Sequence, residues 1–217
     1  GKTKTEPKKN ANSVYQISNG NELAWFAEQV NKGSQDISAE LTADFSLGGN
    51  LWTPIGTDVA FRGSFDGKGH VIRGLYIDVE TDNVGLFGKV GGGNGQKIQN
   101  LTVSGNIEVG GRVSYVGGIV GNVEGTSDAD SCQITNCQNN VVVTVKGIRT
   151  LDAGAGGIAG KASNAVITAC ANTASISIPT EEKGGISYYS GGLVGVIAGG
   201  VRLQTSYNSG TIYSGHT

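Results

Sequence analysis

The chain has 217 residues, room for one domain or two small ones, and 37 of them are glycine, more than twice the usual share of about 7%. Sixteen basic residues against 18 acidic ones leave a net charge of −2, which offers no basic excess for a phosphate backbone, so no nucleic acid partner is expected. A hydrophobic fraction of 37% argues against charge-driven disorder, three prolines without triplet glycine argue against collagen, and no apolar run reaches the roughly 18 residues of a transmembrane segment. Residues 1–13 are polar, carry Lys2, Lys4, Lys8 and Lys9, and lack an initiator Met or signal-like run; they read as a disordered leader or linker that buries nothing. Residues 14–36 read as an N-terminal capping helix region. Asn19 and Glu22 have capping-box spacing, Leu23, Phe26, Ala27 and Val30 share one helical face, and Gly33 sits where a helix stops. Residues 37–217 read as β-helix repeats, opening with irregular strands over 37–65. The segment Phe65-Asp66-Gly67-Lys68-Gly69-His70 predicts a strand, a tight Asp-Gly turn and a return strand.

Beyond this point the chain repeats itself. One element reads Val84-Gly85-Leu86-Phe87-Gly88, Val116-Gly117-Gly118-Ile119-Val120-Gly121, Ala155-Gly156-Gly157-Ile158-Ala159-Gly160 and Ser190-Gly191-Gly192-Leu193-Val194-Gly195. A second element follows each copy, starting at Ile98, Ile134, Ile167 and Leu203, with an earlier copy starting at Ile72. Val, Ile and Thr dominate, and Gly or Asn interrupts every few residues, which favours short strands over a helix. Matching residues at a fixed repeat describe stacked coils. The expected fold is all-β: a single-stranded right-handed parallel β-helix (solenoid) of about five rungs with a short N-terminal capping α-helix. Equivalent residues should lie ~4.8 Å apart in successive rungs. Asn139, Asn172 and Asn208 then form one column, a structural ladder of side-chain amides. Cys137 and Cys170 become buried thiols in the column of Leu75 and Leu101, while the state of Cys132 is left open. The Gly-Gly pairs mark corners with positive φ or a close backbone approach, and none carries the Gly-Lys-Ser/Thr ending of a phosphate loop.

The segment Gly191-Gly192-Leu193-Val194-Gly195, followed by Leu203, Tyr207-Asn208, Gly210 and Ile212, resembles the GLUG motif of bacterial secreted and surface proteins. Trp52-Thr53-Pro54-Ile55-Gly56 through Phe61, Gly63, Phe65-Asp66-Gly67 and Ile72-Arg73-Gly74-Leu75 resembles the block preceding such motifs, as does the leading helix; together they cover residues 14–214. The resemblance implies an exported, adhesin-like protein of the bacterial cell surface and transfers no catalytic residue. The chain departs from the pattern at Gly85, single where later copies have a pair, and in a longer loop at 122–133.

Many parallel β-helices are polysaccharide lyases or hydrolases, so carbohydrate chemistry is the enzymatic alternative; a spacer module of a larger protein is another. Lyases and hydrolases need close carboxylates or a calcium cluster with a basic residue. Here Asp44, Asp58, Asp66, Asp78, Asp82, Asp128, Asp130 and Asp152 share no column, Glu181-Glu182-Lys183 reads as a solvated turn, and only His70 and His216 could serve a Ser-His-Asp triad. No catalytic residue, cofactor or metal is therefore expected. Binding is better supported. Aligned corners put Tyr115 and Tyr189 in one column with Gly154 between them, and Tyr188 beside them, a candidate ligand-binding set for sugar faces or a protein partner. Trp25 and Trp52 read as cap and core packing. The expected role is display, adhesion, or binding of a glycan or host protein through loops 122–133, 146–154 and 179–190. Because no capping helix follows Ile212, the last rung could also pair end to end with a second copy.

Overall fold

A computed structural model describes residues 3–93, 95–148, 153–178 and 188–214, apart from the side chains of residues 147 and 148. The chain forms a parallel β-solenoid of about four turns with one helix, Gly20–Asn31 (α1). Three walls run its length. The longest holds Phe65–Asp66 with Val71–Ile77, Lys97–Gly111, Cys132–Ile148, three strands over 165–178, and three over 201–214. The second stacks Asn83–Val84, Tyr115–Gly117, Ala153–Gly156 and Tyr188–Gly191; the third stacks Phe87–Gly91, Val120–Glu124, Ala159–Ser163 and Val194–Ile197. Tyr15–Ile17 and Ala39–Leu41 stack in parallel before Phe65–Asp66, so the long wall reaches seven parallel tiers while the other two have four. The offsets read from the four later copies hold: Ile98 pairs with Ile134, Ile134 with Ile167, and Ile167 with Leu203.

Helix α1 closes the N-terminal end. The Asn19 side chain accepts from the Asn21 and Glu22 amides, and Glu22 reaches back to the Ser18 amide, one residue beyond the usual capping-box partner. At the other end Gly33, with φ 111°, donates to Val30 and Ser34 donates to Gln29, the paired bonds of a Schellman stop. The buried face sets Phe26 against Phe61 and Phe65, which both meet Phe87 at 5.4 and 5.3 Å between ring centres. Large rings fill the coil where a helix covers it. Further along, the Phe87 column continues as Val120, Ala159 and Val194, because stacked walls alone leave less room.

Three expectations are corrected. Residues 3–13 are not a loose leader: Lys8–Lys9 pairs antiparallel with Tyr15 and Gln16, Pro7 is buried, and Lys4 Nζ lies 3.0 Å from Glu28. Phe65–Asp66 and Val71–Ile77 are not a hairpin, since both run parallel to Lys97–Gly111. The chain bends there instead of reversing, with the Asp66 carboxylate accepting from the Lys68 amide. Leu75 also leaves the Leu101 column. Phe65 pairs with Ile98 and Ile72 with Val103, and after a register shift at Gly74 (φ 66°) Leu75 pairs with Gly105.

The repeat's own pairs, Gly117-Gly118, Gly156-Gly157 and Gly191-Gly192, owe their glycine to crowding, for none of these six has positive φ. A Cβ at Gly118, Gly157 or Gly192 would overlap the side chain of Asn139, Asn172 or Asn208 respectively. The second glycine of each pair is therefore the seat of the asparagine ladder. Gly85 stands alone because the residue in that column one wall later is Val103, not asparagine. Positive φ falls elsewhere on the coil, in the column Asn100, Asn136, Ala169 and Thr205.

Candidate functional site

The ladder is continuous. Asn139 Nδ2 donates to Asn172 Oδ1 at 2.8 Å, and Asn172 Nδ2 to Asn208 Oδ1 at 2.7 Å. Each amide also bonds the backbone two residues on, at Val141, Ala174 and Gly210. Asn139 and Asn172 are fully buried, so these bonds replace lost water and fix the register of the coils. A second, outer ladder escaped sequence reasoning: Asn136 donates to Asn100, which donates to Asp66. Its signal was the pair Asn100 and Asn136 at equivalent repeat positions.

Cys137 and Cys170 face inward on neighbouring coils, and all three cysteines are buried free thiols. Its contact with Cys170, together with burial, pushes the Cys137 thiol well up. Cys132, which donates to Gln96 Oε1, is pushed up to about 11 by burial and by Glu124. Cys132 and Cys137 are therefore poor nucleophiles, while the contact with Cys137 lowers the Cys170 thiol, which burial keeps from solvent.

The side walls carry the tyrosines. Strand register places Tyr115, Gly154 and Tyr189 in one column, as the repeat alignment implied. The gap between the rings is not open, however. A Cβ at Gly154 would meet Val196 Cγ2 at 2.6 Å, and the Lys161 ammonium lies 5.1 Å from the Tyr115 ring centre. Tyr188 does not stand beside them: it pairs with Ala153 and packs against the core, so alternation along the strand turns it to the other face. Lys161 continues a column through Asn122 to Lys89. Lys89 and Asn122 line a polar groove of about 610 Å³ together with Arg62, Asp58 and Glu124. The Asn122 Oδ1 atom is buried there and has no hydrogen-bond partner. The groove can offer cations, carboxylates and an amide to a polar ligand, with an aromatic ring on the same side of the coil.

The remaining candidates are local structure. His70 Nδ1 lies 2.9 Å from Asp44 Oδ1 and Arg73 lies 3.2 Å from the other oxygen, and the His70 bond, with help from the Val71 amide, holds the Asp44 carboxyl below its ordinary range. Asp130 and Asp128 belong to a turn closed by Ser127 and Ser131. Trp52 is buried and its indole donates to Leu86, while Trp25 packs on Tyr15. Glu181-Glu182-Lys183, Asp152, His216 and most of loop 179–190 lie outside the described residues. Among the described residues no three His, Cys, Asp or Glu side chains gather as a metal set, and no helix is long and apolar enough to cross a membrane.

No family model and no solved structure matches the chain. Two curated relatives do. A protein of Evansella cellulosilytica, provisionally described as a Gly-rich membrane protein, is 40% identical over 103 residues, 46% of this chain and 12% of its own length. Halomucin of Haloquadratum walsbyi is 33% identical over 168 residues, 76% of this chain and 2% of its own. The chain thus spans only a small part of each relative.

Proposed function

We propose that this solenoid is a module of an exported, surface-associated protein, and that its work is contact with a glycan or protein through the outer walls. The observation that carries the reading is the likeness to Halomucin over three quarters of the coil, joined by the relative described as a membrane protein. A stacked coil suits that setting, because each turn is held by its neighbours and the outer columns are free to vary. The GLUG resemblance carries the same expectation of export and adhesion. The contact surface is the strip bearing Tyr115, Lys161, Asn122, Lys89 and Arg62, with Tyr189 further along the Tyr115 column. Tyr115 gives an apolar ring, the cations and Asn122 give hydrogen bonds, and this mixture suits saccharide recognition. A glycan array probed with the parent and with Tyr115→Ala plus Lys161→Ala tests the contact. A reproducible hit lost in the double variant supports it; no hit at all points to a spacer, and sugar release from a polysaccharide panel to an enzyme. Antibody labelling of intact cells of the source organism tests surface exposure separately.

A further inference from the structure

We infer that Cys137 and Cys170 form a disulfide that clasps two successive turns of the coil when the chain folds in an oxidising compartment. Register brings the pair together. Thr135 pairs with Thr168 and Gln138 with Ala171, so Cys170 stands one turn above Cys137. A neighbour spacing of ~4.8 Å lies within the Cα range of a disulfide. Both side chains point into the coil, and each residue is 1% exposed. The Cys170 thiol donates to the Ile134 carbonyl of the turn below at 3.4 Å, and it is in direct contact with the Cys137 thiol. Elsewhere the column holds no sulfur: Leu101 lies below Cys137 and Ser206 above Cys170. Cys132 stands in a different column, pairing with Ala165 and donating to Gln96. The bond would join residues a full turn apart, beside the Asn139–Asn172 rung of the ladder, and so would constrain the unfolded chain as well as hold the folded one.

The oxidant is a second disulfide, carried by a small thiol compound or by an oxidoreductase. One cysteine thiolate attacks it, forming a mixed disulfide and releasing one thiol. The other cysteine thiolate then attacks the protein sulfur of that mixed disulfide, which closes the Cys137–Cys170 bond and releases the second thiol. Two protein thiols are oxidised, and the incoming disulfide takes up their two electrons and two protons. Both sulfurs are sealed inside the finished coil, so the exchange belongs to folding, before these turns close, and not to the folded surface. Export, as proposed above, supplies the oxidising surroundings; the geometry stands without it.

The test reduces and unfolds the full chain in urea, then dilutes it into a mixture of reduced and oxidised glutathione. Remaining thiols are blocked with iodoacetamide in denaturant, and tryptic peptides are mapped without reduction. The expected product joins peptide 113–146 to peptide 162–183 through Cys137 and Cys170, with the label on Cys132 alone; fragment spectra separate Cys132 from Cys137. The bridge should persist when the reduced form of glutathione is in about tenfold excess, because the coil holds the two sulfurs together. The bridged chain should keep the circular dichroism of the chain refolded under full reduction and unfold at a higher urea concentration. Cys132→Ala should leave the bridge intact, and Cys170→Ala should abolish it. The same map of chain exported to a bacterial periplasm gives a second reading that does not depend on refolding, with the same bridge expected. A folded product with all three thiols labelled would overturn the inference. So would a bridge from Cys132 to either partner, or a Cys137–Cys170 bridge that lowers the urea midpoint. Since the chemistry is read on isolated chain, its failure would leave the surface assignment standing, which cell labelling tests.

Discussion

Replacing Asn172 by Ala should unfasten the coils at their middle. The side chain makes four hydrogen bonds: it donates to Ala174 O at 2.9 Å and Asn208 Oδ1 at 2.7 Å, and accepts from Asn139 Nδ2 at 2.8 Å and the Ala174 amide at 3.3 Å. At a net value of about 1 kcal/mol per bond, their loss amounts to about 4 kcal/mol, and the emptied seat against Gly157 adds to it. That is a large part of the roughly 5–15 kcal/mol that holds an ordinary domain together. Urea unfolding followed by circular dichroism, with hydrogen exchange to locate the weakened turns, reads the effect. Asn172→Asp keeps the shape and removes the donor. Burial would raise the new carboxyl above its usual pKa, so the variant's deficit relative to the parent is full at neutral pH and shrinks as pH falls through that raised value. An Asn172→Ala loss below about 1 kcal/mol, or a deficit in Asn172→Asp that does not respond to pH, would refute the ladder's energetic role.

Gly121→Ala should cost at least about 2 kcal/mol, since a Cβ there would lie 2.5 Å from the Val84 amide nitrogen, and backbone must move to admit it; thermal unfolding checks this. Iodoacetamide at pH 8 should label none of the three cysteines in the folded, reduced chain and all of them in denaturant, read by mass spectrometry. Asp44→Asn should destabilise at neutral pH and converge with the parent in acid. The lowered Asp44 pKa means its contribution is present above the ordinary carboxyl range and lost as pH falls through the lowered value; urea midpoints across pH measure it.

The stacking was legible because side-chain identity recurs at fixed offsets, and a parallel coil converts each offset directly into a neighbour. That is why Asn139, Asn172 and Asn208, the Cys137 and Cys170 column, and the alignment of Tyr115 with Tyr189 could be placed from letters alone. The first turn was misread where the repeat is irregular. The register shift at Gly74 moved Leu75 out of its expected column, and an Asp-Gly pair that commonly reverses a chain here only bends it. The role of the paired glycines also needed coordinates, since composition cannot distinguish positive φ from a neighbour's side chain filling the space. On the outer walls, pairing along the strand showed that Tyr188 faces the core, and three-dimensional packing showed Lys161 and Val196 crowding the gap that spacing alone left open.

The stacked register itself is most directly tested by disulfide trapping on the outer surface. Thr144 pairs with Ser177 on the next coil, a neighbour separation of ~4.8 Å that falls within the Cα range of a disulfide. Thr144→Cys with Ser177→Cys should oxidise to one intramolecular bridge within the folded monomer, while Thr144→Cys with Thr173→Cys should not. Failure of the first pair to close, or equal closure of both, would contradict the coil-on-coil alignment.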